Sequence, residues 1–117
     1  MLRLWKATIN SRNGLAFAVR SEQAVREEIF ALLLSLPLAW FIGASVMRAV
    51  ELVCAVGLVL VVELLNTAIE KLADRLTMDH DPQIGRVKDM GSAAVGVTLL
   101  MAGGFWIFAI VERMGLN

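Results

Sequence analysis

The chain has 117 residues, of which 58% are hydrophobic, and its formal net charge is +0. This length favours one domain over two, and the hydrophobic share exceeds that of ordinary soluble domains. Because the positive and negative charges balance, the composition argues against a nucleic-acid partner. We therefore expect residues 1–117 to form a single membrane domain.

The N-terminal segment, residues 1–27, is expected to lie on the cytoplasmic surface of the membrane as one or two short amphipathic helices. Leu2, Trp5 and Ile9 share one helical face, and basic residues on the other side suit anionic headgroups. The Asn13-Gly14 pair predicts a turn within this segment.

Three transmembrane helices are expected to follow. Two uncharged stretches, residues 29–47 and 90–111, cover about 28 and 33 Å at 1.5 Å per residue, close to the hydrocarbon thickness of a bilayer. A shorter uncharged run, residues 52–62, spans the membrane only if the polar residues after it belong to the same helix. The sequence thus predicts an all-α integral membrane protein with an N-terminal amphipathic surface helix and three transmembrane helices. Their expected bounds are about 28–47, 51–75 and 88–112.

The basic residues predict how these helices are oriented. Arg48 and Arg113 are the two basic residues that lie on one side of the predicted three-span topology. The other basic residues lie in the N-terminal segment and in the connection between the second and third spans: Arg3, Lys6, Arg12, Arg20, Arg26, Lys71, Arg75, Arg86 and Lys88. The positive-inside rule therefore places the N-terminus and this connection in the cytoplasm, and the C-terminus outside.

A polar stripe at the end of the second span is the first candidate for chemistry. The stretch ELLNTAIEKLAD places Glu63, Asn66, Glu70 and Asp74 on one helical face. An ionised side chain within the hydrocarbon costs about 2.5–3.5 kcal/mol, and a serine or asparagine would hold helices together at lower cost. The two glutamates and the amide between them therefore favour proton abstraction beside a bound cation.

A second cluster, GRVKDMGSAAVG, occupies residues 85–96 at the cytoplasmic end of the third span. Lys88 could contact a phosphate near the polar stripe; the alternative is a snorkelling lysine, with Asp89 as a helix cap beside a small-residue packing motif. The sequence contains no phosphate-binding glycine loop, no HExxH and no paired cysteines. Any nucleotide chemistry must therefore rely on carboxylates and a hard divalent cation, which takes one or two carboxylates plus phosphate oxygens.

The stretch ELLNTAIEKLAD, followed by VKDMGSAA and preceded by SEQAVREE, resembles the prokaryotic diacylglycerol kinase family of small three-span membrane enzymes. The likeness covers nearly the whole chain. It implies a homotrimer in the bacterial inner membrane, with active sites shared between neighbouring subunits. It also implies transfer of the γ-phosphate of MgATP to the hydroxyl of diacylglycerol, which gives phosphatidic acid.

The resemblance also implies roles for individual residues. Glu63 would be the catalytic general base, Asn66 would orient it or the bound groups, and Glu22 and Glu70 would bind Mg²⁺. Contacts with ATP are implied for Arg3, Asn10, Glu22, Glu70, Asp79, His80, Asp81, Lys88 and Asp89. Contacts with the lipid substrate are implied for Glu63, Ser92 and Arg12. Asn10 departs from the family pattern, because related sequences often place a tyrosine there.

Two alternative functions remain open from the sequence. A related branch of the family phosphorylates undecaprenol, and nothing in the apolar helices measures the length or number of acyl chains. The protein could also be a small oligomeric channel or proton-coupled carrier with Glu63 and Glu70 lining a pathway. A conduit would need polar residues in the outer half of the membrane as well, and there the spans are apolar.

Overall fold

The computed structural model describes residues 1–115, which form four α-helices. Their bounds are α1, Leu2–Ser21; α2, Gln23–Ile42; α3, Val46–Leu76; and α4, Pro82–Arg113. The chain is therefore all-α over the described residues. Helix α3 packs against both α2 and α4, and α1 is joined to the start of α2.

The starts of α3 and α4 are set by local capping. Ser45 Oγ accepts a hydrogen bond from the Arg48 backbone N–H at 3.1 Å. Asp81 Oδ1 accepts from the backbone N–H groups of Gln83 and Ile84 at 2.9 and 3.3 Å. Such side chains satisfy the free N–H groups of a first helical turn, and Pro82 follows Asp81 at a position that tolerates proline.

The predicted turn at Asn13-Gly14 is wrong, because α1 continues through it as one helix. A glycine within a helix costs only about 0.5–1 kcal/mol relative to alanine, which the rest of α1 can offset. The break comes instead at Glu22, whose backbone is extended. Arg26 stabilises this break by donating to the free carbonyl oxygens of Val19 and Arg20 at the end of α1, at 2.8 and 3.3 Å.

The turn between α2 and α3 requires a glycine. A Cβ atom on Gly43 would lie 2.8 Å from the carbonyl oxygen of Ala39 and 2.9 Å from the backbone nitrogen of Ala49. Helix α2 therefore ends at Ile42, and Val46 already belongs to α3. The sequence predicts that the first span continues to about residue 47. The helix ends earlier, because the tight turn at Gly43 separates α2 from α3.

Two helices, α3 and α4, are long and apolar enough to cross a membrane. Helix α3 includes both the apolar run and the polar stripe, as a second span of this chain requires. Helix α2 carries Arg26, Glu27 and Glu28 near its start, so its uncharged part is residues 29–42, about 21 Å long. The chain is thus a helical membrane protein in which a third span, formed by α2, stays a prediction.

A small hydrophobic core and an ion pair hold the helices together at the end of the bundle opposite the polar stripe. Ala39, Leu52 and Ala109 are fully buried there. Arg48 Nε contacts Glu112 Oε1 at 2.8 Å, and this pair joins the start of α3 to the end of α4. The fold therefore fixes the helices at this end and leaves the polar stripe at the other.

Candidate active site

The polar stripe lies on α3, where its side chains are hydrogen-bonded along the helix. Asn66 Nδ2 donates to Glu70 Oε1 at 2.9 Å. Thr67 Oγ1 donates to Glu63 Oε2 at 3.3 Å. Both bonds join residues four positions apart, which neighbour each other on a helix surface. The two glutamates are thus each oriented by a polar neighbour.

Asn66 is also the point where α3 and α4 approach most tightly at the stripe. The side chain is buried, and its Oδ1 atom has no hydrogen-bond partner within the described chain. Gly91 of α4 lies directly against this oxygen, and a Cβ atom added to Gly91 would overlap it. The glycine therefore fixes the space in which the Asn66 amide can lie.

Glu22 reaches α3 through an ion pair. Lys71 Nζ lies 3.1 Å from Glu22 Oε2 and 5.2 Å from the centroid of the Phe17 ring. Lys71 is the residue after Glu70, so this contact brings the junction of α1 and α2 beside the stripe. The two carboxylates to which the family resemblance assigns cation binding are thereby on neighbouring parts of the structure.

Helix α4 joins the same end of the bundle through Lys88. Its Nζ atom contacts Asp74 Oδ1 of α3 at 2.5 Å. Asp89 and Ser92, which follow on α4, are exposed. Lys88 is thus placed at the stripe, where Asp74 is its carboxylate partner.

Three residues in this region are not among the site residues predicted from the sequence. Glu28 of α2 is close enough to Glu63 for their charges to repel. Thr67 and Lys71 make the contacts with Glu63 and Glu22 described above. Thr67 could have been found from its i,i+4 spacing to Glu63, whereas the partners of Glu28 and Lys71 come from other helices.

The remaining sequence candidates are not joined to the stripe by hydrogen bonds or ion pairs among residues 1–115. Arg3, Asn10 and Arg12 are exposed along α1. Asp79 and His80 are exposed between α3 and α4. Asp81 is exposed as well, and one of its carboxylate oxygens caps α4.

An apolar groove opens between α1 and α3 next to these polar groups. Its volume is about 510 Å³, and Leu15, Phe17, Leu64, Thr67 and Lys71 are among the residues that line it. Thr67, whose hydroxyl donates to Glu63, is thus one of the residues that line the groove. The arrangement can place an apolar molecule with its polar end at the stripe.

Comparison with known proteins shows the family to which this chain belongs. The family model described as prokaryotic diacylglycerol kinase matches residues 9–110, which is most of the chain. The chain belongs to the prokaryotic diacylglycerol kinase family. The resemblance drawn from the sequence motifs is therefore confirmed.

Relatives named diacylglycerol kinase match over nearly their full lengths. The chain is 37% identical over 113 residues to that of Escherichia coli strain K12, which covers 97% of this chain and 93% of the relative. It is 35% identical to the Haemophilus influenzae protein over 106 residues, or 91% of this chain and 90% of the relative. The Pseudomonas aeruginosa protein is 35% identical over 104 residues, with 89% and 85% covered.

A diacylglycerol kinase uses a nucleotide, and the carboxylates of this chain fit a divalent cation bound together with phosphate. Residues 1–115 contain no group of three or more histidine, cysteine, aspartate or glutamate side chains that could hold a metal ion alone. Magnesium commonly takes only one or two protein carboxylates, the other ligands being water and substrate phosphates. Glu22 already pairs with a cationic group, the ammonium of Lys71, which is the residue after Glu70. The donor chemistry therefore fits a magnesium ion shared with a nucleotide.

Proposed function

We propose that this protein is an ATP-dependent diacylglycerol kinase in which Glu63 acts as the general base. The observation that carries the proposal is the apolar groove between α1 and α3, which is lined by Thr67, the residue that donates a hydrogen bond to Glu63. A groove of this kind can take acyl chains while it directs the lipid hydroxyl to the glutamate. The names of the relatives support diacylglycerol as the lipid.

In the proposed reaction, the lipid hydroxyl gives its proton to the Glu63 carboxylate while its oxygen attacks the γ-phosphorus of ATP. A new oxygen–phosphorus bond forms, the bond from the γ-phosphorus to the β,γ-bridging oxygen breaks, and ADP leaves. Phosphoryl transfer depends on positioning and charge neutralisation more than on covalent participation by the protein. Thr67 holds Glu63 in place, and Ser92 and Arg12 would contact the lipid.

The phosphates would be held at the junction of α1, α3 and α4. Glu22 and Glu70 would bind Mg²⁺, which neutralises phosphate charge when it is present. Asn66 donates to Glu70 and so orients that carboxylate. Lys88 would leave Asp74 for a phosphate oxygen, with Asp89 next to it. Further nucleotide contacts are proposed for Arg3, Asn10, Asp79, His80 and Asp81.

Phosphate transfer from labelled MgATP in mixed micelles tests this function. Diacylglycerol and undecaprenol are offered together, and phosphatidic acid is the expected main product. Undecaprenyl phosphate as the main product would keep the mechanism and replace the lipid. If a folded sample transfers phosphate to neither lipid, the kinase function is refuted and the channel or carrier becomes the better hypothesis.

We further propose a homotrimer with shared active sites in the bacterial inner membrane, with α2 as a third span and the N-terminus in the cytoplasm. Large apolar side chains such as Phe30, Trp40 and Leu100 are 67%, 72% and 78% exposed. Apolar surface of this extent favours contact with lipid or with further copies of the chain. Native mass spectrometry of protein released from bicelles should give particles of three chains, and particles of one or two chains would contradict this proposal.

A further inference from the structure

The carboxylate of Glu22 has its cationic partner within the chain itself. Lys71 Nζ lies 3.1 Å from Glu22 Oε2, and the same ammonium lies over the Phe17 ring at 5.2 Å. Among residues 1–115, Glu22 makes no other ion pair, and its side chain does not cap α2 although it occupies the N-cap position. The Lys71 ammonium is therefore the group of the described chain that neutralises Glu22.

Lys71 contacts one oxygen of a carboxylate that the proposed divalent cation would also need. It directly follows Glu70, the second carboxylate of the proposed cation site. An ammonium and a divalent cation repel each other, so both cannot remain in contact with one carboxylate at little cost. A cation at Glu22 and the Lys71 ammonium therefore compete for this carboxylate.

We propose that Lys71 is an exchangeable counter-ion of Glu22, which sets the divalent-cation concentration that the enzyme requires. This inference rests on the proposed function, in which Glu22 is a cation ligand. The exchange is feasible because the pair is partly open to solvent, with 44% of the lysine side chain and 32% of the glutamate side chain exposed. Exposed ion pairs are weak, and a lysine side chain is long and flexible.

Displacement leaves the ammonium with a second partner. The Phe17 ring of α1 stays within reach of Lys71 by a cation–π contact. The ion pair also keeps the junction of α1 and α2 against α3 when no cation is bound. Lys71 thus orders Glu22 before the cation arrives, at the cost of competing with it.

Replacing Lys71 with methionine tests this competition, because methionine keeps an apolar stem against Phe17 and removes the charge. Binding of Mn²⁺ to nucleotide-free protein in bicelles is followed by the electron paramagnetic resonance signal of the free ion. We expect Lys71→Met to bind Mn²⁺ about two- to fivefold more tightly, the range expected from loss of an exposed ion pair. The Mg²⁺ concentration for half-maximal activity should fall by the same factor.

Two further variants separate this role from a general effect of charge or packing. Lys71→Arg keeps the positive charge and should bind Mn²⁺ like the wild type. Lys6 of α1 makes no ion pair within the described chain. Lys6→Met removes one positive charge there and should also leave Mn²⁺ affinity unchanged. The proposal is overturned if Lys71→Met binds Mn²⁺ no more tightly than the wild type, or if Lys6→Met gives an equal gain.

Glu22→Gln distinguishes failure of this inference from failure of the kinase function. We expect Glu22→Gln to weaken Mn²⁺ binding and to abolish the gain from Lys71→Met in the double variant. Unchanged binding in Glu22→Gln would overturn the counter-ion role, whatever the outcome of the lipid assay. If the binding data follow the expectation and no lipid is phosphorylated, the counter-ion role stands and the kinase function fails.

Discussion

Replacing Glu63 with glutamine should lower turnover of diacylglycerol by about a hundred- to ten-thousandfold, the usual contribution of a general base. Glutamine keeps the size of the side chain and can still accept the hydrogen bond from Thr67 through its amide oxygen. It cannot take the proton of the lipid hydroxyl. The measurement is the initial rate of phosphatidic acid formation at saturating MgATP and saturating lipid.

Nucleotide binding and a second glutamate of α3 provide the controls. Glu63→Gln should bind nucleotide as tightly as the wild type, since the proposed phosphate contacts come from other residues. Glu51→Gln removes a carboxylate at the opposite end of the same helix, where Glu51 pairs with Arg48 at 2.6 Å, and should retain wild-type turnover. A Glu63→Gln protein that binds nucleotide and turns over at a near-normal rate would exclude Glu63 as the base.

The sequence predicts those parts of the site that depend on one helix. Spacing of three and four residues is enough to place Glu63, Asn66 and Glu70 on one face, and α3 is helical throughout this stretch. The bond from Asn66 to Glu70 follows from the same spacing. Membrane character follows from the apolar runs of the second and third predicted spans, which lie in α3 and α4, the two helices long and apolar enough to cross a membrane.

Contacts between helices could not be predicted in the same way. The pairing of Lys71 with Glu22 depends on where α1 ends, and Arg26 fixes that end by bonding to carbonyl oxygens seven and six residues earlier. The Asn13-Gly14 pair predicts a turn because these residues favour one locally. In the structure, the surrounding residues keep α1 helical through this pair. The repulsion between Glu28 and Glu63 likewise depends on the packing of α2 against α3.

Replacing Gly91 with alanine should have the second large effect, because the added methyl group would overlap Asn66 Oδ1. The nearest atoms that the added methyl group would meet all belong to the Asn66 side chain, so that side chain must move. Overpacking of a buried contact typically costs about 1–3 kcal/mol. We expect a lower midpoint of thermal unfolding in micelles. We also expect an activity loss of about tenfold, because a displaced Asn66 no longer orients Glu70, and each 1.4 kcal/mol of lost transition-state stabilisation is tenfold in rate.

Gly96→Ala is the matched control on the same helix, because a Cβ atom at Gly96 would meet nothing within 4 Å. Gly96→Ala should leave both the unfolding midpoint and the activity at their wild-type values. The double variant Gly91→Ala/Asn66→Ala should recover the unfolding midpoint, because the smaller side chain frees the space. It should not recover the activity, because the amide that orients Glu70 is gone. Equal behaviour of Gly91→Ala and Gly96→Ala would show that α3 and α4 separate freely at this point, and that the position of the Asn66 amide does not depend on the glycine.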